Sequence, residues 1–381
     1  MLQNEDSTLH WENMRKGIEN QPLLLEQSIR SLVDTVSGEL DGPAPTKIFF
    51  VGCGDSYFCG VAIRYYAEKL TGIPVEALES MEFSRYGVHT APEGSLVVAV
   101  SNSGEVARTV ECLKFARERG LRTLAVTYNP ESRIAQQADV LVTYDYRDVG
   151  FGPGTMSYVA SILSLAAVAI RAAQLNGRLD QAGVDAEVAH VEAIAPVLRA
   201  TIAAQDAPAG EAAALITDEM PVFVLGAGPN YGTALFSMAK MIESARHNTV
   251  SQQLEEWAHE QFFCCGPGTM TIVLAPRGRG TDRAREQLQA VRDMQGISVV
   301  VCAADDSETR ALADIILPVV GDVDESLSPL VYLAAVELIA LHFAQSNDKV
   351  MLGFDDEFRK QVNFRQIWKS TIPESLVGAG V

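Results

Sequence analysis

The chain has 381 residues, of which 48% are hydrophobic and 21% charged, enough to bury two cores of ordinary domain size and too much for one. A net charge of −19, from 30 basic against 49 acidic residues, argues against nucleic acid or an anionic membrane as partner, so an anionic ligand needs a locally shaped cradle. Six cysteines without a CxxC pair (Cys53, Cys59, Cys112, Cys264, Cys265, Cys302) and a polar, acidic N-terminus unlike a signal peptide place the expected location in the cytoplasm.

In chain order, a helix-forming stretch from about Trp11 to Val36 leads to an apolar strand at Ile48–Val51 and a helix at Ser56–Leu70. Strands at Val75–Leu78 and Leu96–Val100, a helix at Val106–Arg119, a strand at Thr123–Thr127, a short helix near Ser132–Gln137, a strand at Val140–Tyr144 and an apolar helix over 155–175 follow. Ser161, Ser164 and Arg171 interrupt that last helix, which reads as core and not as a membrane span. An Ala-rich segment from Asp180 to Ala214 opens a second round: strand Val222–Gly226, helix Tyr231–Ala245, strand Thr271–Leu274, helix Thr281–Gln295, strands Ser298–Cys302 and Ile315–Val319, helix Leu330–Gln345, and a tail ending Gly-Ala-Gly-Val. Apolar strands alternating with helices predict an α/β fold of two tandem domains, each a doubly wound parallel sheet in a flavodoxin-like three-layer arrangement.

The two rounds repeat one phrase. Phe49-Phe50-Val51-Gly52-Cys53-Gly54-Asp55-Ser56-Tyr57 returns 174 positions later as Phe223-Val224-Leu225-Gly226-Ala227-Gly228-Pro229-Asn230-Tyr231. In each copy an apolar run ends in Gly-x-Gly and enters a helix, the arrangement that presents backbone N–H groups to an anion. Only the first copy fills its next loop with hydroxyls, Ser101-Asn102-Ser103-Gly104-Glu105. By itself Ser-x-Ser-Gly is ordinary turn chemistry. Placed after a buried strand, beside the Gly-Cys-Gly-Asp-Ser loop and ahead of a helix N-terminus, it reads as a phosphomonoester pocket built without metal or lysine. A serine nucleophile is a weaker reading, because the Gly-x-Ser-x-Gly elbow is absent.

These loops resemble those of the sugar isomerase (SIS) domain family, and the double copy is similar to the isomerase half of glucosamine-6-phosphate synthase. Met14-Arg15-Lys16-Gly17-Ile18-Glu19-Asn20-Gln21-Pro22 resembles that half's opening helix, and Glu82-Phe83 with Tyr86 its Glu-Phe-x-Tyr turn. The resemblance implies sugar 6-phosphate ligands at Ser56, Ser101, Asn102 and Ser103, with Gly54, Asp55, Gly104 and Thr155 in the loops around the substrate. Lys240, Glu243 three residues on and His259 a further sixteen on match the spacing of the family's lysine, glutamate and histidine. Glu243 is then the base that moves a proton between C1 and C2, and His259 opens the ring or protonates a leaving amine, which needs an imidazole that titrates near neutrality. Outside that resemblance the same residues are a solvated helix pair and a surface histidine. Lys369, in Arg365-Gln366-Ile367-Trp368-Lys369-Ser370-Thr371, resembles the tail lysine that engages the open-chain carbonyl.

Domain boundaries follow: an N-terminal helical segment over 1–40, the phosphate-loop domain over 41–180, linker helices over 181–214, the acid/base domain over 215–350 and a tail over 351–381 that closes the site. Departures from the family pattern are as informative. Asp55 replaces a hydroxyl residue and repels a dianion unless it turns away, and Val106 replaces a threonine, with Thr109 or Arg108 left to compensate. Gly152-Pro153-Gly154-Thr155-Met156-Ser157 stands where the synthase has Ser-Thr-Lys, and Glu260-Gln261 where Gly-Pro follows the histidine. With no glutaminase segment or N-terminal cysteine nucleophile in the sequence, the chain is expected not to draw ammonia from glutamine by itself. The stand-alone relatives imply C–N cleavage, as an amino-sugar 6-phosphate deaminase or a fructosamine-6-phosphate-type deglycase. A plain aldose/ketose phosphate isomerase and a non-catalytic sugar-phosphate sensor are the alternatives. No metal or cofactor is implied, and the expected partners are a small sugar phosphate and a second copy in a homodimer, since the family's histidine loop reaches the neighbouring subunit.

Overall fold

A computed structural model describes residues Ser7–Tyr146 and Val149–Ser375, so the terminal Gly-Ala-Gly-Val lies outside the described residues. The chain forms two parallel five-stranded sheets flanked by helices. The first has β1 (Ile48–Gly52), β2 (Val75–Glu79), β3 (Leu96–Val100), β4 (Arg122–Thr127) and β5 (Val140–Thr143) in the order β2-β1-β3-β4-β5. The second has β6 (Val222–Gly226), β7 (Val250–Gln253), β8 (Met270–Ala275), β9 (Ile297–Ala303) and β10 (Ile315–Val319), in the order β7-β6-β8-β9-β10. Every strand of the second sheet starts 174 or 175 positions after its counterpart, so the offset read from one loop extends to the whole topology.

The helices are α1 (Ser7–Glu39), α2 (Asp55–Thr71), α3 (Ser80–Arg85), α4 (Ala107–Glu118), α5 (Arg133–Gln137), α6 (Met156–Leu175), α7 (Gln181–Glu192), α8 (Ile194–Leu215), α9 (Pro229–Ala245), α10 (Thr281–Asp293), α11 (Ser307–Arg310), α12 (Pro329–Ser346) and α13 (Glu357–Trp368). Two compact units result. One carries the first sheet and comprises the described residues of Leu24–Arg147, Ser157–Glu192 and Asp356–Val381. The other carries the second sheet and comprises those of Met1–Leu23, Asp148–Met156 and Ala193–Asp355.

The central strands β1, β3, β6 and β8 are buried at every residue, which is why they read as unbroken apolar runs. Edge strands are only half-buried: β7 is Val-Ser-Gln-Gln, and β10 admits Pro318 because one of its sides has no strand neighbour. Strand β7 was not anticipated from sequence for that reason. Helices α6 and α12 are long and apolar enough to cross a membrane by length and composition, but 89% and 83% of their apolar windows are buried inside the protein, the environment of core helices. In the second-sheet unit, α12 packs against α8 and α9.

The tail contains a helix that the sequence pattern conceals, because α13 (Glu-Phe-Arg-Lys-Gln-Val-Asn-Phe-Arg-Gln-Ile-Trp) buries no residue fully. Its start is fixed by Asp356, whose carboxylate accepts from the N–H groups of Phe358 at 2.9 Å and Arg359 at 3.1 Å.

Candidate active site

Strands β1 and β3 are adjacent in the sheet while their following chains leave in opposite directions along it, so the loops after them open onto one crevice at the strands' C-terminal ends. Two glycines make the first of those loops. A Cβ on Gly52 meets the backbone carbonyl of Ser56 at 2.4 Å, and Gly54, with φ +56, begins α2. The second copy repeats both: a Cβ on Gly226 meets the Asn230 carbonyl at 2.1 Å, and Gly228, with φ +54, begins α9.

In the loop after β3, Ser101 is buried and its hydroxyl accepts from the Gly104 N–H at 3.1 Å, while the Ser103 hydroxyl accepts from the Glu105 N–H at 3.2 Å. Ser103 is partly exposed and Asn102 exposed, and the Tyr144 hydroxyl donates to Asn102 Oδ1 at 3.0 Å. Gly104 has φ +70, and its missing side chain leaves room for Ser132. Helix α4 then begins behind Val106 with no side-chain cap and no acidic residue in its first turn, leaving its leading N–H groups and dipole for an anion. Ser56, in the first turn of α2, is partly exposed. Asp55 is turned so that one carboxylate oxygen is buried, away from solvent. Thr109 is a poor substitute for the missing threonine hydroxyl, since its own lies in the core 3.1 Å from that of Ser80. Beside the loop, burial and the neighbouring Glu79 carboxylate push the Cys53 thiol up to about 11, so it stays a thiol at neutral pH.

In the second copy the equivalent loop is filled. After β8 the loop is Pro276-Arg277-Gly278-Arg279-Gly280, and the Glu325 carboxylate accepts from the Arg279 N–H at 3.0 Å. A Cβ on Gly278 meets Glu325 Cδ at 2.1 Å, so the protein's own carboxylate fills the loop after β8 that corresponds to the Ser101–Glu105 loop.

The tail lies on the first-sheet unit. Arg133 Nη1 donates to the Trp368 carbonyl at 2.9 Å, Arg108 to the Thr371 carbonyl, and Lys114 Nζ to the carbonyls of Pro373 at 2.9 Å and Glu374 at 2.6 Å. Arg108 also pairs with Glu111, a fully buried carboxylate that Arg85 and the Ser84 hydroxyl satisfy as well. Lys369, the residue after α13, is exposed and has no ion pair among the described residues.

In the second-sheet unit, Lys240 and Glu243 stand one turn apart on α9. Lys240 is fully buried; its ammonium donates to Glu243 Oε2 at 2.5 Å and to the Gly154 carbonyl at 3.2 Å, and lies 4.8 Å from the Phe236 ring centre. The Glu243 side chain keeps 31% of its surface exposed. A solvated helix pair does not fit this geometry, because the lysine serves as an internal brace for one accessible carboxylate. Thr155 follows the bracing carbonyl and is itself buried, its Oγ1 occupying the space that a Cβ on Gly17 of α1 would take. His259 ends a one-turn helix, Glu256–His259, 66% exposed, with Nε2 3.5 Å from the Glu255 carboxylate. Among the described residues it makes no hydrogen bond to Glu243. Gly154 and Arg133 were not singled out from sequence: one acts through a backbone carbonyl and the other through tertiary contacts. No group of three or more His, Cys, Asp or Glu able to hold a metal ion is assembled among the described residues.

Residues 44–171 match the SIS domain family. The glutamine–fructose-6-phosphate aminotransferase (isomerizing) of Zymomonas mobilis is 28% identical over 342 residues, which cover 87% of this chain and 55% of that protein, so the chain spans about half the length of the relative. The C-terminal domain of glucosamine-fructose-6-phosphate aminotransferase from Francisella tularensis superposes with a TM-score of 0.77 at 21% identity, covering 89% of this chain and 97% of the other. Glucosamine-6-phosphate deaminase from Thermotoga maritima gives 0.68 at 18% identity, with 90% and 97% covered. At those identities the two solved structures establish a shared fold. Residues 44–171 thus match a SIS domain, and the repeated glycine loops and the second parallel sheet repeat the topology of that matched segment in the rest of the chain.

Proposed function

We propose that this chain is an amino-sugar 6-phosphate isomerase that cleaves a C–N bond, as a deaminase or a fructosamine-6-phosphate-type deglycase. The observation that carries the reading is the Lys240–Glu243 brace: a fully buried ammonium holding a partly exposed carboxylate at 2.5 Å sets one oxygen in place and leaves the other for a substrate proton. Ser56, Asn102, Ser103, the Ser101 loop and the open start of α4 hold the 6-phosphate, and the same cradle in the second copy is closed by Glu325. The name of the Zymomonas relative points to the same class of substrate, a hexose 6-phosphate.

For a 2-amino-2-deoxyhexose 6-phosphate, Glu243 takes the C2 proton of the open chain and returns it to C1. The resulting ketimine adds water and releases ammonia and the ketose phosphate. For a 6-phosphofructosyl-amino acid the transfer runs from C1 to C2, and water then splits the C1 imine into the amino acid and an aldose phosphate. His259 serves ring opening and protonates the departing nitrogen, and Lys369 engages the open-chain carbonyl. A cytoplasmic homodimer completes the proposal.

The test is incubation of the pure protein with glucosamine 6-phosphate and, separately, with a 6-phosphofructosyl-amino acid, assaying ammonia or amino acid together with the sugar phosphate formed. Release from one substrate chooses between deaminase and deglycase, and Glu243→Gln removes it. No release, with interconversion of aldose and ketose 6-phosphates, replaces the proposal by a plain isomerase; binding without any turnover replaces it by a sensor.

A further inference from the structure

One guanidinium nitrogen joins the phosphate loop to the tail. Arg133 Nη1 donates to the Glu105 carbonyl at 3.4 Å and to the Trp368 carbonyl at 2.9 Å. The loop is bound to the start of α5 in two further ways: the Arg133 N–H donates to the Glu105 carboxylate at 3.2 Å and the Ile134 N–H to the Gly104 carbonyl at 3.1 Å. Helix α5 is therefore the back wall of the Ser101–Glu105 loop, and its first side chain reaches across to the last carbonyl of α13. A cation at that end of a helix is favoured both as a hydrogen-bond donor and by the dipole. The other two tail anchors, Arg108 and Lys114, come from α4 and donate to carbonyls of residues 371–374, beyond Lys369. Among these anchors, Arg133 is the one that holds the residue immediately before Lys369 and the residue immediately after Gly104.

We infer that Arg133 is a positioning residue that couples occupancy of the phosphate loop to the placement of Lys369. The inference rests on the assignment of Lys369 and the loop to one sugar-phosphate site. When a phosphate orders Ser101–Glu105, the Glu105 carbonyl is fixed, the guanidinium is held against it, and the Trp368 carbonyl docks on the nitrogen's second hydrogen. A hydrogen bond from a charged donor shifts such a docking equilibrium about tenfold or more. Binding of the part of the substrate that does not react thereby sets the lysine that meets the part that does.

The experiment is hydrogen–deuterium exchange of the backbone amides over 366–375 in the full chain and in Arg133→Met. Each is measured without ligand and with saturating glucitol 6-phosphate, an unreactive open-chain hexose phosphate, alongside kcat and KM. In the unmodified chain, ligand is expected to slow exchange of these amides about tenfold. In Arg133→Met exchange without ligand is about tenfold faster, the ligand-induced slowing is lost, glucitol 6-phosphate affinity falls by about the same tenfold factor because the coupling is reciprocal, and kcat falls to the level of Lys369→Ala with no further fall in the double variant. Arg108→Met is the control: it loosens the tail without ligand yet retains slowing by ligand at 368–369. Retained ligand-induced slowing in Arg133→Met overturns the inference, as does a loss of ligand affinity far larger than the lost slowing, which assigns Arg133 to the loop alone. If Arg133→Met does not fold, Arg133→Gln, too short to span both carbonyls, is used in its place. A full chain that binds no hexose phosphate fails the functional reading and the coupling with it, whereas ligand-free exchange still decides whether Arg133 holds the tail.

Discussion

Lys240 and Glu243 make an asymmetric pair, and the asymmetry sets the stability of their variants. Lys240 is fully buried while Glu243 is 31% exposed, with the charged atoms 2.5 Å apart. Lys240→Met removes the buried charge, fills its space with a side chain of similar length, and leaves a carboxylate that water can reach. The expected cost is below about 1.5 kcal/mol. Glu243→Leu leaves the ammonium buried without its counter-charge. Breaking a buried pair from that side costs about 3–5 kcal/mol, and the remaining Gly154 carbonyl at 3.2 Å and Phe236 ring at 4.8 Å hold it near the lower end, about 3 kcal/mol. Urea unfolding followed by the fluorescence of Trp257, which is fully buried in the same unit, measures both. With a slope of about 2 kcal/mol per M, Glu243→Leu lowers the midpoint by about 1.5 M and Lys240→Met by less than about 0.8 M. On the proposed reaction, turnover is expected to fall in both variants, by about a hundredfold or more for Glu243→Leu, because that variant lacks the proposed base and Lys240→Met its brace. Equal midpoints, or a larger loss for Lys240→Met, refute the view that the lysine is the member that depends on its partner.

Gly226→Ala places a methyl against the Asn230 backbone carbonyl, which cannot swing aside, and is expected to cost about 1–3 kcal/mol in an unfolding titration; Gly52→Ala carries the same cost and also weakens hexose 6-phosphate binding in calorimetry, which Gly226→Ala does not. Val106→Thr adds a hydroxyl at the uncapped start of α4 and should tighten glucose 6-phosphate about tenfold; unchanged affinity places the phosphate elsewhere in the crevice. His247 is buried, its Nε2–H donating to the Thr217 carbonyl at 3.2 Å and its Nδ1 accepting from Thr249 at 2.8 Å; burial lowers its pKa, an effect that hydrogen bonding to Thr217 only partly offsets. The unfolded histidine therefore takes up its proton first, so stability is full above about pH 6.5 and declines as pH falls below it toward the folded value, a decline that His247→Asn should flatten when unfolding midpoints are compared between pH 5 and 7.

The alternation of buried strands and helices, the repeat at 174 positions and the Gly-x-Gly loops were legible in the sequence because each is local: a fully covered strand has to be continuously apolar, and a backbone carbonyl at 2.1 or 2.4 Å admits no side chain but hydrogen. The hydroxyl loop was legible for the same reason, through its place after such a strand. Spacing put Lys240 and Glu243 on one helical face, but that one is an internal brace and the other half-open depends on the Gly154 carbonyl and Phe236, which no pattern along α9 encodes. Strand β7 and helix α13 escaped the pattern because an edge strand and an exposed helix bury too little to impose a period on their residues. The closing of the second cradle by Glu325, and the tail held by Arg108, Lys114 and Arg133 through backbone carbonyls, were decided only in three dimensions. A carbonyl acceptor is the same for every residue, so a contact made to it leaves no mark in the sequence that receives it.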